Sequence, residues 1–197
     1  MLRNVYDFDK TIFDGDSTQK FYIFLLTRHP QLLTCLPKQA FYFTLFSMGL
    51  ITKTEFKEKF YSAFKLVPNI DKEVELFWII NIKNIKTWYY ENHRDDDIVI
   101  SASPEFLLEP ICRQLNINCL LASRVNKKNG TYKGLNCYGE EKVIRLKQSY
   151  PNVRINEFYS DSFSDEPLAK LARKSYFVVK DELYLWWAYK KGNLQKK

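Results

Sequence analysis

The sequence predicts an α/β fold, a parallel sheet covered by helices on both faces, with a helical block inserted after its first strand. Two observations carry that prediction. Short apolar or β-branched runs ending in turn and acidic residues alternate with helical stretches, the pattern of parallel strands joined by helical crossovers. From about residue 20 to residue 94, apolar residues instead recur at helical spacing and no convincing strand intervenes.

The elements follow in order. Asn4-Val5-Tyr6-Asp7-Phe8 is a short apolar run that gives way to Asp9-Lys10-Thr11 and Asp14-Gly15-Asp16-Ser17, and reads as a buried strand delivering acids to its C-terminal end. In the helical block, Thr52 and Glu55 have the spacing of a capping box, and Phe56, Phe60 and Phe64 repeat every four residues behind it. Trp78, Ile82, Ile85 and Tyr89 make a second such stripe. Ile98-Val99-Ile100 reads as a strand running into Ser101-Ala102-Ser103-Pro104-Glu105, where Ser103 suits an N-cap and Pro104 the first helical position. Beyond it lie an apolar stretch at Cys119–Ala122, a helix near Glu140–Gln148, and strands at Ile155–Tyr159 and Tyr176–Val179. Trp186-Trp187, with Leu183 and Tyr184 before them, read as packing of a C-terminal helix. The expected organisation is an α/β core of residues 1–16 and 95–197 with a helical cap of residues 17–94 over its acid-bearing end.

Composition narrows the class. The chain has 197 residues, of which 46% are hydrophobic and 16% aromatic, which excludes intrinsic disorder and supports one core carrying an insertion. The net charge of +7 comes from dispersed basic residues, with only a small Lys190-Lys191 and Lys196-Lys197 cluster at the tail, so no nucleic-acid partner is expected. Attraction of anionic substrates or of a membrane surface is the milder inference. The N-terminal segment reaches Asp7 without the apolar stretch of a signal peptide, which predicts a cytoplasmic protein. Four cysteines without regular spacing read as reduced thiols, and two histidines leave any metal to carboxylates and carbonyls, the donors of magnesium. Residues 40–51 carry no charge, too short a run for a membrane span of about 20 residues. Two readings stay open for it: a buried cap helix, or an interfacial helix flanked by Arg28, Lys38 and Lys53 that leaves the protein membrane-associated.

The chemistry sits in two acid pairs. Asp7 and Asp9 alternate where the first strand ends, and Asp161 and Asp165 follow a later strand in a short loop. Crowded carboxylates repel unless a cation or chemistry holds them, and the C-terminal edge of a parallel sheet is where such folds bind ligands. A magnesium site working against phosphate is the implied arrangement. Asp95-Asp96-Asp97, three consecutive acids that cannot all face one ion, read as a solvated turn; Asp14 either caps its turn or shares in substrate selection.

Four stretches in order resemble the haloacid dehalogenase-like superfamily of aspartyl-phosphate hydrolases: Val5–Thr11, Ile98–Ser101, Lys142 within Gly139–Lys142, and Asp161–Asp165. The resemblance implies a Rossmann-like core with an inserted cap and a magnesium-dependent phosphatase. In it Asp7 is the nucleophile, Asp9 the acid and base, and Lys142 the charge-compensating cation. It implies Mg2+ held by Asp7, Asp9, Asp161 and Asp165 with support from Ser162, and substrate contacts from Thr11, Asp16, Ser101, Ala102 and Ser103. Within the superfamily the chain looks most like the phosphoserine-phosphatase-like branch, although Asp16 stands where that branch usually has Glu. Asp14–Ser17, Cys137–Val143 and Tyr159–Ser162 resemble phosphatidylglycerophosphatase C-like members more closely. A phosphorylated small molecule or a lipid phosphate is the expected partner. A non-catalytic phospho-ligand-binding protein of the same fold is the alternative.

Overall fold

The computed structural model describes residues 2–197. In chain order it contains β1 (Leu2–Tyr6), α1 (Ser17–Arg28), α2 (Leu36–Ser47), α3 (Lys53–Tyr61), α4 (Ile70–Asn81), α5 (Thr87–Asn92) and β2 (Ile98–Pro104). There follow α6 (Glu105–Gln114), β3 (Cys119–Ser123), α7 (Glu140–Ser149), β4 (Arg154–Ser160), α8 (Glu166–Ala169), β5 (Ala172–Val179), β6 (Glu182–Leu185) and α9 (Trp186–Lys190). The sheet runs β3-β2-β1-β4-β5-β6. Its first five strands are parallel, so their C-terminal ends share one edge, while β6 closes the far side antiparallel to β5.

Strand alternation builds two cores. Tyr6, Val99, Tyr159 and Tyr176 face one side, where Tyr6 stacks on Tyr159 at 4.7 Å and Tyr159 on Tyr176 at 5.0 Å. Val5, Ile98, Ile100 and Phe158 face the other, under α7, α8 and Trp186 of α9. The first core does not stop at the sheet. It runs through Phe8, Phe13, Phe21, Phe77 and Trp78 into the helices between β1 and β2, and Trp78 donates its indole N–H to the Leu107 carbonyl at 2.6 Å. The inserted helices and the sheet are thus packed as one body.

Several expectations need correction. The stripe Trp78–Tyr89 is not one helix: α4 ends at Asn81, and Ile85 pairs with Phe13 instead. Asn81 donates to the Phe77 carbonyl and accepts from Asn84, local bonds that compete with the helical ladder. Ser103 is not an N-cap, because β2 runs through Pro104 and the helix starts at Glu105. Asp95 is exposed, but Asp97 is buried, accepts the Arg94 N–H at 2.9 Å, and is pushed up by that burial to about 6. Leu183 and Tyr184 lie on β6 rather than on a helix, and Trp187 is exposed while its neighbour Trp186 is buried. The four cysteines are free, with Cys35 and Cys119 only half-buried. No described helix is long and apolar enough to cross a membrane.

The uncharged run also departs from the buried reading. Only Gln39 of α2 is buried, bridging the Tyr22 hydroxyl and the Phe60 carbonyl, whereas Phe41 and Phe43 are 59% and 56% exposed. A polar clasp and the contacts of Phe43 and Phe46 with Phe56 hold this helix, not burial.

Gly130 fastens the segment between β3 and α7 to the end of α3. Its φ is +79°, and a Cβ there would lie 2.4–2.6 Å from backbone atoms of Tyr61 and Ser62. Gly130→Ala should therefore cost at least about 2 kcal/mol in urea unfolding, combining left-handed strain with a backbone clash.

Candidate active site

The parallel register places the chemistry. Tyr6 pairs with Val99 of β2 and Tyr159 of β4, and the Asp7 N–H donates to the Tyr159 carbonyl at 2.9 Å, so Asp7 leaves the sheet at the shared C-terminal edge. Asp161 and Asp165 follow β4 at the same edge. In the first turn of α7, behind Gly139 with its φ of 59°, Lys142 projects toward them.

Lys142 links the two acid pairs. Its Nζ lies 2.7 Å from Asp7 Oδ1 and 2.7 Å from Asp165 Oδ2. The Ser160 hydroxyl donates to that same Asp165 oxygen at 2.8 Å, whereas Asp165 Oδ1 is buried without a partner. The Lys142 side chain is 3% exposed and that of Asp7 11%, so the carboxylate reaches the cavity while the ammonium stays behind it. Burial opposes the Lys142 charge, but the two carboxylates outweigh it and hold the ammonium protonated above its ordinary range. Burial pushes the Asp7 carboxyl up against the pull of Lys142, with Asp165 adding to the rise. Two carboxylates thus share one buried cation and leave room for further positive charge.

Asp9 is held differently. One oxygen accepts the Ser17 N–H at 2.7 Å and the other the Ser103 hydroxyl. Burial and the neighbouring Asp16 raise its carboxyl to about 6, while the Ser103 and Ser17 bonds work the other way. Asp16 caps α1 by accepting the Gln19 N–H at 2.8 Å. The turn after Asp9 is pinned by Lys86, whose ammonium donates to the carbonyls of Lys10, at 2.6 Å, and Lys180.

A cavity of about 460 Å³ opens over these groups, lined by Asp7, Asp9, Asp16, Ser101, Ala102, Ser103, Lys142, Asp161 and Asp165. Ser101 accepts the Ser103 N–H at 3.1 Å. Thr11 does not line the cavity: it is buried behind it and accepts the Asp161 N–H at 3.1 Å. Sequence reasoning missed the wall supplied by the inserted helices, which includes Phe43, Phe56, Lys57 and Phe60. Lys57 donates to the Ala102 carbonyl at 3.1 Å, and burial, with Lys53 nearby, lowers its ammonium to about 8. Its signal was present, since Phe56, Lys57 and Phe60 share one face of a helix.

These residues suit a hard cation. The Asp7 and Asp161 carboxylates and the Asp9 carbonyl are oxygen donors, and the orphaned Asp165 oxygen marks uncompensated negative charge at the site. Among the described residues no three His, Cys, Asp or Glu side chains form a ready-made cluster. Magnesium does not require one, because it is commonly held by one or two carboxylates with water and phosphate.

The family described as haloacid dehalogenase-like hydrolase matches residues 5–170. The chain belongs to that family. Among curated relatives of this hydrolase, protein CicA of Caulobacter vibrioides is 32% identical over 90 residues, 42% of this chain and 40% of CicA. Histidinol-phosphatase of Neisseria meningitidis serogroup C is 28% identical over 99 residues, 44% of this chain and 45% of that one. The matches thus span less than half the length of these relatives. A protein with unknown function from Bordetella pertussis Tohama I superposes with a TM-score of 0.74 at 19% identity, over 88% of both chains. A phosphoserine phosphohydrolase-like protein from Francisella tularensis superposes with a TM-score of 0.55 at 16% identity, over 89% of this chain and 86% of that one. Both likenesses are of fold.

In this hydrolase Lys142→Met would strand two buried carboxylates. Urea unfolding at neutral pH should show a loss of about 3–5 kcal/mol. The loss should shrink as pH falls and Asp7, raised by burial, protonates, because only its charged form needs the ammonium.

Proposed function

We propose that the protein is a magnesium-dependent phosphomonoesterase that works through a covalent phosphate on Asp7. The observation that carries this reading is the 2.7 Å contact between Lys142 Nζ and Asp7 Oδ1 in a cavity that Asp9 also lines. A buried carboxylate held by one ammonium is oriented for attack and deprived of water.

An Asp7 carboxylate oxygen attacks phosphorus, the bond from phosphorus to the leaving oxygen breaks, and protonated Asp9 gives that oxygen its proton. Water then attacks the acyl phosphate while Asp9 takes up the water proton, and Asp7 departs as carboxylate with inorganic phosphate released. An acid raised to about 6 is suited to both halves of this cycle near neutrality. Lys142 offsets negative charge on Asp7 and the transferring group, and Ser101 with the backbone at Ala102, near the end of β2, holds phosphate oxygens. The Asp7 and Asp161 carboxylates and the Asp9 carbonyl would hold magnesium, with Asp165 and Ser162 in support. When bound, the ion supplies charge compensation for phosphate and attacking carboxylate.

The substrate we favour is a phosphorylated small molecule. A lipid phosphate is the second reading, favoured by the Phe43, Phe56 and Phe60 wall beside Lys57. Phosphoserine is less well matched, because an Asp16 oxygen is already committed to the Gln19 N–H. A purely binding role leaves the joint presence of Asp7, Asp9 and Lys142 in one cavity without a purpose.

Phosphate release from a panel of phosphoserine, sugar phosphates and a lipid phosphate tests the reading. Turnover should require magnesium, stop with chelator, and fall at least about a thousandfold in Asp7→Asn. Magnesium binding without release by the wild-type protein would favour the binding role instead. Lys57 supplies a second check: charged below about 8 and neutral above it, it should make KM rise as pH passes that value. Lys57→Met should have a raised KM that no longer changes there.

A further inference from the structure

We infer that the exposed end of α2, with the turn leading into α3, is a docking edge for an anionic lipid surface, placed so that the cavity mouth faces that surface. The inference goes beyond the phosphatase reading, since docking is measured without turnover.

The apolar exposure is large and concentrated. Phe41, Phe43, Met48 and Leu50 are 59%, 56%, 66% and 64% exposed. Single exposed apolar residues are ordinary, whereas a group of them marks a surface meant to be covered. Positions 41 and 43 stand on nearly opposite sides of a helix, so α2 exposes apolar rings on two sides rather than along one stripe. Gly49, with a φ of 73°, then turns the chain over and carries Leu50 at the tip. An apolar wedge of this size is too short to span a bilayer and suited to entering its outer layer.

Charge selects the partner. From Ser17 to Thr54 the chain has no Asp or Glu. Exposed Lys53 and Lys59 lie on α3 beside the wedge, Lys53 over the Tyr138 ring at 3.8 Å and Lys59 over the Tyr42 ring at 5.5 Å, and exposed Lys38 stands in the first turn of α2. The acids of α3 are engaged elsewhere: Glu55 accepts from the Thr52 amide and hydroxyl, and Glu58 from the Tyr132 amide. Each lysine near an anionic leaflet adds attraction, whereas a second copy of this chain would bring the same cations against one another. Phe43 and Lys53 also line the cavity, so the edge continues into the site.

Co-sedimentation with vesicles of phosphatidylglycerol and phosphatidylcholine in equal parts tests this. The wild-type chain should pellet with them at low salt and be released at high salt. The variant Phe41→Ser/Met48→Ser/Leu50→Ser, altered only at exposed positions, should lose at least about tenfold in partition. Lys38→Glu with Lys59→Glu should lose at least about fivefold for each lysine removed, with circular dichroism unchanged in both variants. No pelleting at low salt, equal pelleting of wild type and variants, or a dimer in solution that the triple variant dissolves would each overturn the inference.

Discussion

Lys142 is the residue around which the site is organised, because its ammonium contacts both the acid that follows β1 and an acid that follows β4. Burying an ammonium costs several kcal/mol unless it is paired, and burying two carboxylates costs more. Each of the three is tolerable only in the presence of the others. That mutual dependence ties the α7 helix to the C-terminal edge of the sheet and fixes Asp7 with little freedom. It also leaves the site short of positive charge, which is the physical reason that its residues suit a hard cation better than a neutral ligand.

The remaining architecture serves this arrangement. Parallel strands bring β1, β2 and β4 to the same edge, and the tyrosine stack across the sheet continues into the aromatic core of the inserted helices. Those helices are therefore not loosely tethered. Trp78 is bonded to the chain of α6, and Lys86 crosses from the insertion to the turn after Asp9. Asp9 itself is bonded to both halves, to Ser17 at the start of α1 and to Ser103 at the end of β2. Helix α2 is the outlying part, fastened by Gln39 and by Phe43 and Phe46 against Phe56, whereas α3 is tied to the core through Lys57 on the Ala102 carbonyl and Glu58 on the Tyr132 amide.

Much of this was legible in the sequence, for identifiable reasons. Strand ends betray themselves where β-branched runs meet acids and turn residues, and in a parallel sheet such ends must converge, so Asp7, Asp9, Asp161 and Asp165 group together on the sequence pattern alone. Other features depend on tertiary partners. Thr11 reads as a cavity residue by its closeness to Asp9, yet the Asp161 amide claims its hydroxyl. Ser103 has the chemistry of an N-cap, but Asp9 offers it a charged acceptor and β2 continues past it. The run around Phe41 is apolar enough to be core, and nothing local states that only α3, through Phe56, packs against part of it while Phe41 stays exposed. β6 is short and owes its existence to pairing with β5 across the turn at Lys180, where φ is 53°.

The central claim is that Asp7 is the reacting group. Its most direct test is acid-quenched single turnover with a radiolabelled phosphomonoester, followed by peptide mapping of the denatured protein. The account predicts transient label on the peptide containing Asp7, stable in acid and lost in base as an acyl phosphate is. Turnover with no label on the protein at any quench time, or label on a different residue, would contradict it.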